Sequence, residues 1–159
     1  MRPVRPADAH GVYALQTELA SPWPDLLDAA IDAPVAAGGT VGPVCLVAEP
    51  RRPPTPHGAT DPGRGGQRRP VIGYALAVDG PERLLVELAV APGYRRRGHG
   101  RALVGALADR PVRVTVRADD DGALAFYAAL GFERVERLPG FYDLPEGVVD
   151  GVALRLGPE

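Results

Sequence analysis

The feature that most constrains this chain is an apolar strand that leads into a glycine-rich helix start. The apolar run Leu84–Ala91 stops at Pro92, and a helical pattern then extends from Gly98 to Ala108. Gly98 and Gly100 have no Cβ, so an anion can approach this backbone closely. The unpaired N–H groups and the dipole of a helix start favour negative charge. The segment therefore predicts a pyrophosphate site, and a tight strand-to-helix turn with a solvated rim is the alternative.

Two common phosphate-binding motifs do not fit this segment. All 18 basic residues of the chain are arginine, so the lysine of a Walker-type phosphate loop is missing. The dinucleotide fingerprint fits poorly, since Leu103 stands where its third glycine belongs and no βαβ unit precedes it. Four arginines around the two glycines supply additional donors for an anion, and they are Arg95, Arg96, Arg97 and Arg101.

Length and composition indicate one globular domain. The chain has 159 residues, 45% of them apolar and 24% charged, which is typical of a soluble protein with its own core. No apolar run has the roughly 18 residues of a membrane span, and the first ten residues lack the apolar stretch of a signal peptide. We therefore expect a cytoplasmic protein, either a monomer or a homodimer, that does not associate with membranes.

Charge and cysteine content narrow the function further. The net charge of −2 argues against a general nucleic-acid binder, because the chain has no excess of positive charge to attract phosphates. The single cysteine, Cys45, excludes an internal disulfide and an all-cysteine metal site. It is expected to be a small core residue.

Strands and helices alternate along the chain, which predicts an α/β or α+β fold. Pro50–Pro70 is rich in Pro, Gly and Arg and nearly free of large apolar residues, so we expect a flexible loop inside a single domain, 1–159. A basic arm for an acidic partner is the alternative for its arginines, Arg51, Arg52, Arg64, Arg68 and Arg69.

The predicted strands are Arg2–Arg5, Val44–Ala48, Val71–Val78, Leu84–Ala91, Val112–Arg117, Phe132–Leu138 and Val152–Leu156. Helices are predicted after Asp8, which would cap the first, and over Leu26–Ile31, Gly98–Ala108 and Gly122–Leu130.

Two motifs in order carry a family resemblance. The first is Val90-Ala-Pro92 followed by Arg95-Arg-Arg-Gly98-His-Gly100, and the second is Ala123-Leu-Ala-Phe-Tyr127-Ala-Ala-Leu-Gly131-Phe132. This pattern resembles the GNAT superfamily of N-acetyltransferases, and within it the ribosomal-protein alanine N-acetyltransferases (RimI type). The resemblance covers the chain from about Val71 to Leu156, and the opening Val4-Arg-Pro-Ala-Asp8 also fits.

The resemblance implies a mixed, mostly antiparallel sheet with helices on both faces, splayed open between Leu84–Ala91 and Val112–Arg117. It also implies acetyl-coenzyme A (acetyl-CoA) as co-substrate and no metal. The pantetheine arm would bind main-chain groups around Leu88, Ala89 and Val90, and Asp120 would stand near the pantetheine amide. The pyrophosphate would bind the segment of Arg95, Arg96, Arg97, Gly98, His99, Gly100 and Arg101.

The same resemblance suggests roles in catalysis. Tyr127 would protonate the departing thiolate, and a core tyrosine is the alternative. The strand position where the RimI type often carries a glutamate is Thr115 here, which cannot act as a base. Two possibilities then remain for the amine proton. Either Glu87 takes this proton, directly or through a water, or the amine arrives already neutral. The alternative for Glu87 is a carboxylate that faces outward.

The acceptor side depends on three aromatic residues. Phe141 and Tyr142, in a loop between the last two strands, would close over a peptide backbone, and a pair that covers the sheet edge is the alternative. Trp23 would line the acceptor site, or pack in the core. The expected acceptor is a protein N-terminal amine. The alternatives are a small amine and, in another class, a regulatory domain that binds acyl-CoA without turnover.

Overall fold

The computed structural model describes residues 1–19, 22–32, 42–50 and 70–157. The flexible loop predicted for residues 50–70, with its five arginines, lies outside the described residues except at its two ends, and it stays a prediction, as does the single domain. None of the helices in these ranges combines the length and hydropathy that crossing a bilayer requires.

Seven strands and four α-helices make up the described part of the chain. The strands are β1 (Arg2–Pro3), β2 (Pro43–Ala48), β3 (Gly73–Val78), β4 (Arg83–Val90), β5 (Val112–Arg117), β6 (Glu133–Leu144) and β7 (Gly147–Leu156). The helices are α1 (Ala9–Gln16), α2 (Pro24–Asp32), α3 (His99–Leu107) and α4 (Asp121–Ala129). The strands form one sheet in the order β1-β2-β3-β4-β5-β7-β6. Every neighbouring pair is antiparallel except β4 and β5, so the predicted mixed, mostly antiparallel sheet is confirmed.

The two faces of the sheet carry separate hydrophobic cores. Successive side chains of a strand point to opposite faces, and β3 shows the pattern clearly. Tyr74 and Leu76 pack with residues of α1 and α2, whereas Ala75 and Ala77 pack with residues of α3 and α4. Helices therefore cover both faces, as predicted.

The sheet is open between β4 and β5. The two strands pair only where Arg83, Leu84 and Leu85 lie opposite Val112–Val114, and then they diverge. The second half of β4 is thus paired with β3 on one side and exposes its other edge. This opening is the splayed site that the family resemblance implies.

A β-bulge lies at the point where β4 leaves β5. Leu85 lies opposite Ala77 and Glu87 lies opposite Leu76, so Val86 is the extra residue in the ladder. An extra residue reverses which face the following side chains point to. Leu85 therefore faces the α3–α4 side, while Glu87, two residues later, faces the α1–α2 side.

Arg83 fixes the closed end of this opening. Its buried guanidinium donates to the Asp79 and Asp109 carboxylates at 2.6 Å each, and to the carbonyl of Leu107, the last residue of α3, at 2.9 Å. The main-chain N–H of Arg83 bonds the carbonyl of Pro111 at 2.7 Å. One residue thus ties together the start of β4, the end of α3 and the approach to β5.

Replacing Arg83 with methionine is expected to lower the free energy of unfolding by about 2–3 kcal/mol, because it leaves the Leu107 carbonyl and two carboxylates without their donor. Urea unfolding measures the change. Arg110→Met is the matched control, since its half-exposed side chain contacts the same two carboxylates at only 3.8 and 3.6 Å; it should cost less than about 1 kcal/mol. Equal losses in the two variants would contradict the role given to Arg83.

The last two strands differ from the prediction. Phe141 and Tyr142 lie in β6 and not in a loop, because β6 and β7 are both longer than expected. Pro139 and Gly140 look like a turn in sequence, but a wide bulge accommodates them, with three residues of β6 opposite the single Asp150. The Asp150 carboxylate accepts from the Gly140 N–H at 2.9 Å and from Arg137, and these bonds lower its pKa.

The start of the chain also needs a correction. Asp8 precedes α1, but its carboxylate does not cap this helix. It accepts from the Arg2 guanidinium at 2.7 and 2.8 Å and from the Arg5 N–H at 2.7 Å, and the Arg2 hydrogen bonds hold its pKa below the usual range. The predicted strand Arg2–Arg5 is shortened to two residues, since the chain turns at Pro6.

Candidate active site

A continuous cleft occupies the opening between β4 and β5. Its larger part, about 620 Å³, runs from the free edge of β4 to the start of α3. Its smaller part, about 180 Å³, lies between the two diverging strands. Both parts share four lining residues, Leu19, Leu88, Asp120 and Ala123. A long ligand can therefore occupy both parts at once.

Most of the residues predicted to bind a cofactor line the larger part of the cleft. They are Leu88, Ala89, Val90, Arg95, Arg96, Gly98, His99, Gly100, Arg101 and Asp120. Arg97 is the exception. It lines a neighbouring cavity of about 590 Å³, where its guanidinium carbon lies 5.7 Å from the centre of the Tyr94 ring.

The free edge of β4 presents main-chain groups to the cleft. Peptide groups of successive strand residues point to opposite edges. The N–H of Ala91 bonds the carbonyl of Ile72 on the β3 side at 2.8 Å, so the groups of Leu88 and Val90 point towards the cleft. Arg95 supports this direction, because its Nε donates to the Val90 carbonyl at 3.0 Å. These groups are where the family resemblance implies pantetheine contacts.

The start of α3 supplies unpaired donors at the far end. The first helical bond runs from the Ala102 N–H to the Gly98 carbonyl at 3.0 Å. The N–H groups of His99, Gly100 and Arg101 therefore have no helical acceptor, and no side chain in the described part of the protein caps them. Gly98 has φ +85°, which favours glycine. With the arginines nearby, this helix start has the donors and the charge that suit an anion.

Tyr127 combines a packed ring with a hydroxyl at the cleft. The ring lies between those of Phe126 and Phe132, with centres 5.0 and 5.1 Å away, and the residue is only 6% exposed. Tyr127 lines the smaller part of the cleft, and its hydroxyl has no hydrogen-bond partner among the described residues. Burial, with smaller contributions from Tyr142 and Asp120, raises its pKa above the usual value near 10. The phenol therefore holds its proton at neutral pH.

Glu87 is buried, so the outward-facing alternative is wrong. The bulge at Val86 turns its side chain to the α1–α2 face, where it is 4% exposed. Its carboxylate accepts from the Gln16 amide at 3.2 and 3.3 Å, from the Tyr74 hydroxyl at 2.8 Å and from the Trp23 N–H. Glu87 also lines the smaller part of the cleft.

Tyr142 reaches the cleft from β6 across β7. Its hydroxyl donates to the carbonyl of Thr115 on β5 at 3.1 Å, and it lines the cleft beside Tyr127. Gly151 of β7 makes this crossing possible, because a Cβ there would lie 3.0 Å from the Cβ of Phe141. The Phe141 ring packs edge-on against Tyr142, with centres 4.9 Å apart.

Two of the predicted acceptor residues lie outside the cleft wall. Trp23 is 58% exposed and Phe141 is 53% exposed, and neither lines the cleft. Core packing of Trp23 is therefore wrong.

Asp120 does line the cleft, and its carboxylate caps α4 by accepting from the Ala123 N–H at 3.0 Å. The contact of Asp120 with pantetheine stays a prediction.

Several cleft residues were not predicted. Leu19 follows α1 and lines both parts, and Phe126 closes against Gly100, where a Cβ would lie 3.2 Å from the ring. Gln16 and Tyr74 hold Glu87 from behind. Each of these two had a weak signal, since Gln16 is polar on the apolar face of a helix and Tyr74 carries a hydroxyl in an apolar strand. Among the described residues, no His, Cys, Asp or Glu side chains cluster in a way that would hold a metal ion.

Comparison with known proteins gives a consistent result. Residues 66–134 match the acetyltransferase (GNAT) domain family. A mycothiol acetyltransferase of Actinosynnema mirum is 43% identical over 101 residues, which cover 54% of this chain and 34% of that protein. The [ribosomal protein bS18]-alanine N-acetyltransferase of Escherichia coli is 33% identical over 82 residues, 47% of this chain and 55% of that protein. The chain thus spans between about one third and about half of these relatives.

The fold itself is shared over nearly the whole chain. NAA60 of Arabidopsis thaliana in complex with a bisubstrate analogue superposes with a TM-score of 0.76 at 19% identity, covering 99% of this chain and 98% of that one. The same protein in complex with acetyl-CoA gives a TM-score of 0.72 at 20% identity, covering 98% and 96%. At such identities the likeness is one of fold alone. The match of residues 66–134, which include both sequence motifs, confirms the resemblance to the GNAT acetyltransferases.

Proposed function

We propose that this domain transfers an acetyl group from acetyl-CoA to a primary amine. One observation carries the proposal. A single cleft joins the unpaired N–H groups of α3 at one end to the protonated Tyr127 hydroxyl at the other. Pyrophosphate suits the first end, a thiolate leaving group suits the second, and the free edge of β4 lies between them. The relatives and the solved structure that carry acetyltransferase or acetyl-CoA in their names support the same chemistry.

The residues of this chain divide the reaction between them. The amine nitrogen forms a bond to the thioester carbon, and the bond from carbon to sulfur breaks. Tyr127 gives its proton to the departing sulfur, since burial keeps the phenol protonated until that charge develops. The N–H groups on the free edge of β4 are the nearest donors for charge on the thioester oxygen.

Glu87 is the group that we propose for the amine proton. Three donors contact its carboxylate. Gln16 makes two of the contacts, one to each carboxylate oxygen, and both are long. A carboxylate has about four lone-pair sites, and these contacts occupy them, so a proton that arrives directly or through a water would replace one of the two long Gln16 contacts. An amine that arrives neutral is the alternative route, and it leaves Glu87 with a structural role only.

The acceptor class that we propose first is a peptide N-terminus. Tyr142 lies in the cleft wall, and the exposed rings of Phe141 and Trp23 stand outside it, where a peptide would continue beyond its first residue. Similarity to the [ribosomal protein bS18]-alanine N-acetyltransferase supports this class. Similarity to a mycothiol acetyltransferase favours the second class, a small-molecule amine.

An acceptor screen tests the function directly. Purified protein and acetyl-CoA are mixed with peptides that begin with Ser, Ala or Met, and in parallel with small amines including polyamines and mycothiol precursors. Released thiol measures turnover. We expect thiol release with at least one peptide. Binding of acetyl-CoA without release on any amine would instead support a regulatory domain, a class for which Thr115 in place of the family glutamate is the sequence argument.

Tyr142→Ala is expected to reduce kcat/KM for an acceptor peptide about tenfold more than for a free amino-acid amide, because only the peptide has a backbone that the hydroxyl and ring can contact. Parallel kinetics on the two substrates measure the difference. Tyr142→Phe is the matched variant, since it keeps the ring and removes the hydroxyl with its bond to Thr115. Equal losses on both substrates would favour the small-amine class.

A further inference from the structure

Three donors from three separate segments meet on the buried Glu87 carboxylate. Gln16 belongs to α1, Tyr74 to β3 and the Trp23 N–H to the connection between α1 and α2. Gln16 is buried and Tyr74 has no exposed surface at all, so neither side chain can contact an acceptor. Hydrogen bonds to a carboxylate are among the stronger ones in proteins, and this carboxylate joins the sheet to the α1–α2 side.

The Trp23 bond matters because of its neighbours in sequence. Pro22 and Pro24 have no N–H, so Trp23 supplies the single amide donor of this three-residue segment. The carbonyl of Trp23 accepts from the Leu27 N–H at 3.1 Å, which makes Trp23 the residue from which α2 starts. Fixing the Trp23 amide on Glu87 therefore fixes both the end of the connection and the start of α2.

Two residues that follow α1 lie in the wall of the cleft. Leu19 lines both parts of the cleft, and Glu18 lines the larger part. Trp23, just before α2, has an exposed ring, and its N–H bonds Glu87, which lines the smaller part of the cleft. The Glu87 carboxylate thus holds Trp23, and Gln16 and Tyr74 in turn hold the carboxylate.

We infer that Tyr74 and Gln16 are positioning residues for the acceptor site, which they control by holding the Glu87 carboxylate and, through it, the Trp23 amide. The inference rests on the proposed function for its acceptor, and it adds two residues that touch neither substrate. Tyr74 suits this role because burial, reinforced by the nearby Glu87, raises the pKa of its phenol well above the usual value. It therefore remains a donor at any pH at which the protein is used.

The test uses Tyr74→Phe and Gln16→Leu, which keep the volume of each side chain and remove its donor. Amide hydrogen exchange of Trp23, followed by NMR, reports the connection without any substrate. We expect exchange to become about tenfold faster in each variant, since a less firmly held Glu87 carboxylate lets the Trp23 N–H leave it more often. The KM for a peptide beginning with Ala should rise about tenfold, while the dissociation constant of acetyl-CoA should change less than about twofold.

Tyr13→Phe is the matched control. Its hydroxyl also joins α1 to α2, by donating to Asp28, but at the surface and without Glu87. Exchange at Trp23 and the KM should both stay at wild-type values. Glu87→Gln separates the two proposals, because it should lower turnover if Glu87 takes the amine proton, whatever happens at Trp23.

Unchanged Trp23 exchange in both Tyr74→Phe and Gln16→Leu would overturn the inference, even if the enzyme is active. Faster exchange with an unchanged KM would also overturn it, since the connection would then not set the acceptor site. Loss of acetyl-CoA affinity in parallel would show a general disturbance of the fold and would count against it too. Failure of the proposed function has a different signature. Exchange at Trp23 then becomes faster in the two variants as expected, but the wild-type protein acetylates no amine.

Discussion

Tyr127→Phe is expected to lower turnover about 10²–10⁴-fold while leaving the affinity for acetyl-CoA nearly unchanged. The substitution removes only a hydroxyl that has no hydrogen-bond partner among the described residues, so the ring keeps its contacts with Phe126 and Phe132. Without that hydroxyl, the departing thiolate has no positioned acid. Steady-state kinetics with thiol detection measure turnover, and calorimetry measures the binding of acetyl-CoA.

The control for this prediction is Tyr13→Phe, which removes a tyrosine hydroxyl at the surface, away from the cleft. Its turnover should equal that of the wild type. Wild-type turnover in Tyr127→Phe would show that Tyr127 is a core tyrosine whose hydroxyl happens to face the cleft. A parallel loss of acetyl-CoA affinity would give the hydroxyl a role in binding.

Gly100→Glu is expected to weaken acetyl-CoA binding about 100-fold, because it adds a negative charge and bulk beside N–H groups that would bind pyrophosphate. A Cβ at this position would lie 3.2 Å from the Phe126 ring, so some local movement is also expected. Gly98→Glu repeats the test without that contact, since nothing lies within 4 Å of its Cβ. Its φ of +85° adds strain of about 1 kcal/mol.

Gly105→Glu is the matched control for these variants. Gly105 lies in the same helix, is exposed and has open space around its Cβ, but it is far along α3 from the unpaired N–H groups. Calorimetry with acetyl-CoA should give the wild-type dissociation constant. Equal binding by all three folded variants would mean that the start of α3 is not the pyrophosphate site.

The parts of the site that local sequence determines could be predicted. Val90-Ala-Pro92 and the glycines at 98 and 100 set a strand end, a turn and a helix start within about ten residues, so the anion site follows from the backbone alone. The role predicted for Tyr127 came with the family resemblance, through its place in the second motif. The mixed sheet and its opening between β4 and β5 did not follow from residue patterns; they came with the family resemblance.

The parts that depend on distant residues could not be predicted. Glu87 is buried because a bulge at Val86, defined by pairing with β3, reverses the face of the strand. Tyr142 reaches Thr115 because Asp150 stabilises a bulge and Gly151 has no side chain. Arg97 points into the neighbouring cavity, although its sequence position resembles that of the arginines beside it. For Glu87 and Tyr142 the deciding contacts lie on other strands.

The most direct test of the central claim is a titration of ¹⁵N-labelled protein with acetyl-CoA, followed through the backbone amides. The proposed function predicts the largest shifts at His99, Gly100 and Arg101, because their N–H groups would gain a phosphate acceptor, together with shifts at Leu88 and Val90 on the free edge of β4. The amide of Gly105 should stay in place. Saturable binding that shifts other amides and leaves those of residues 99–101 unchanged would contradict the account.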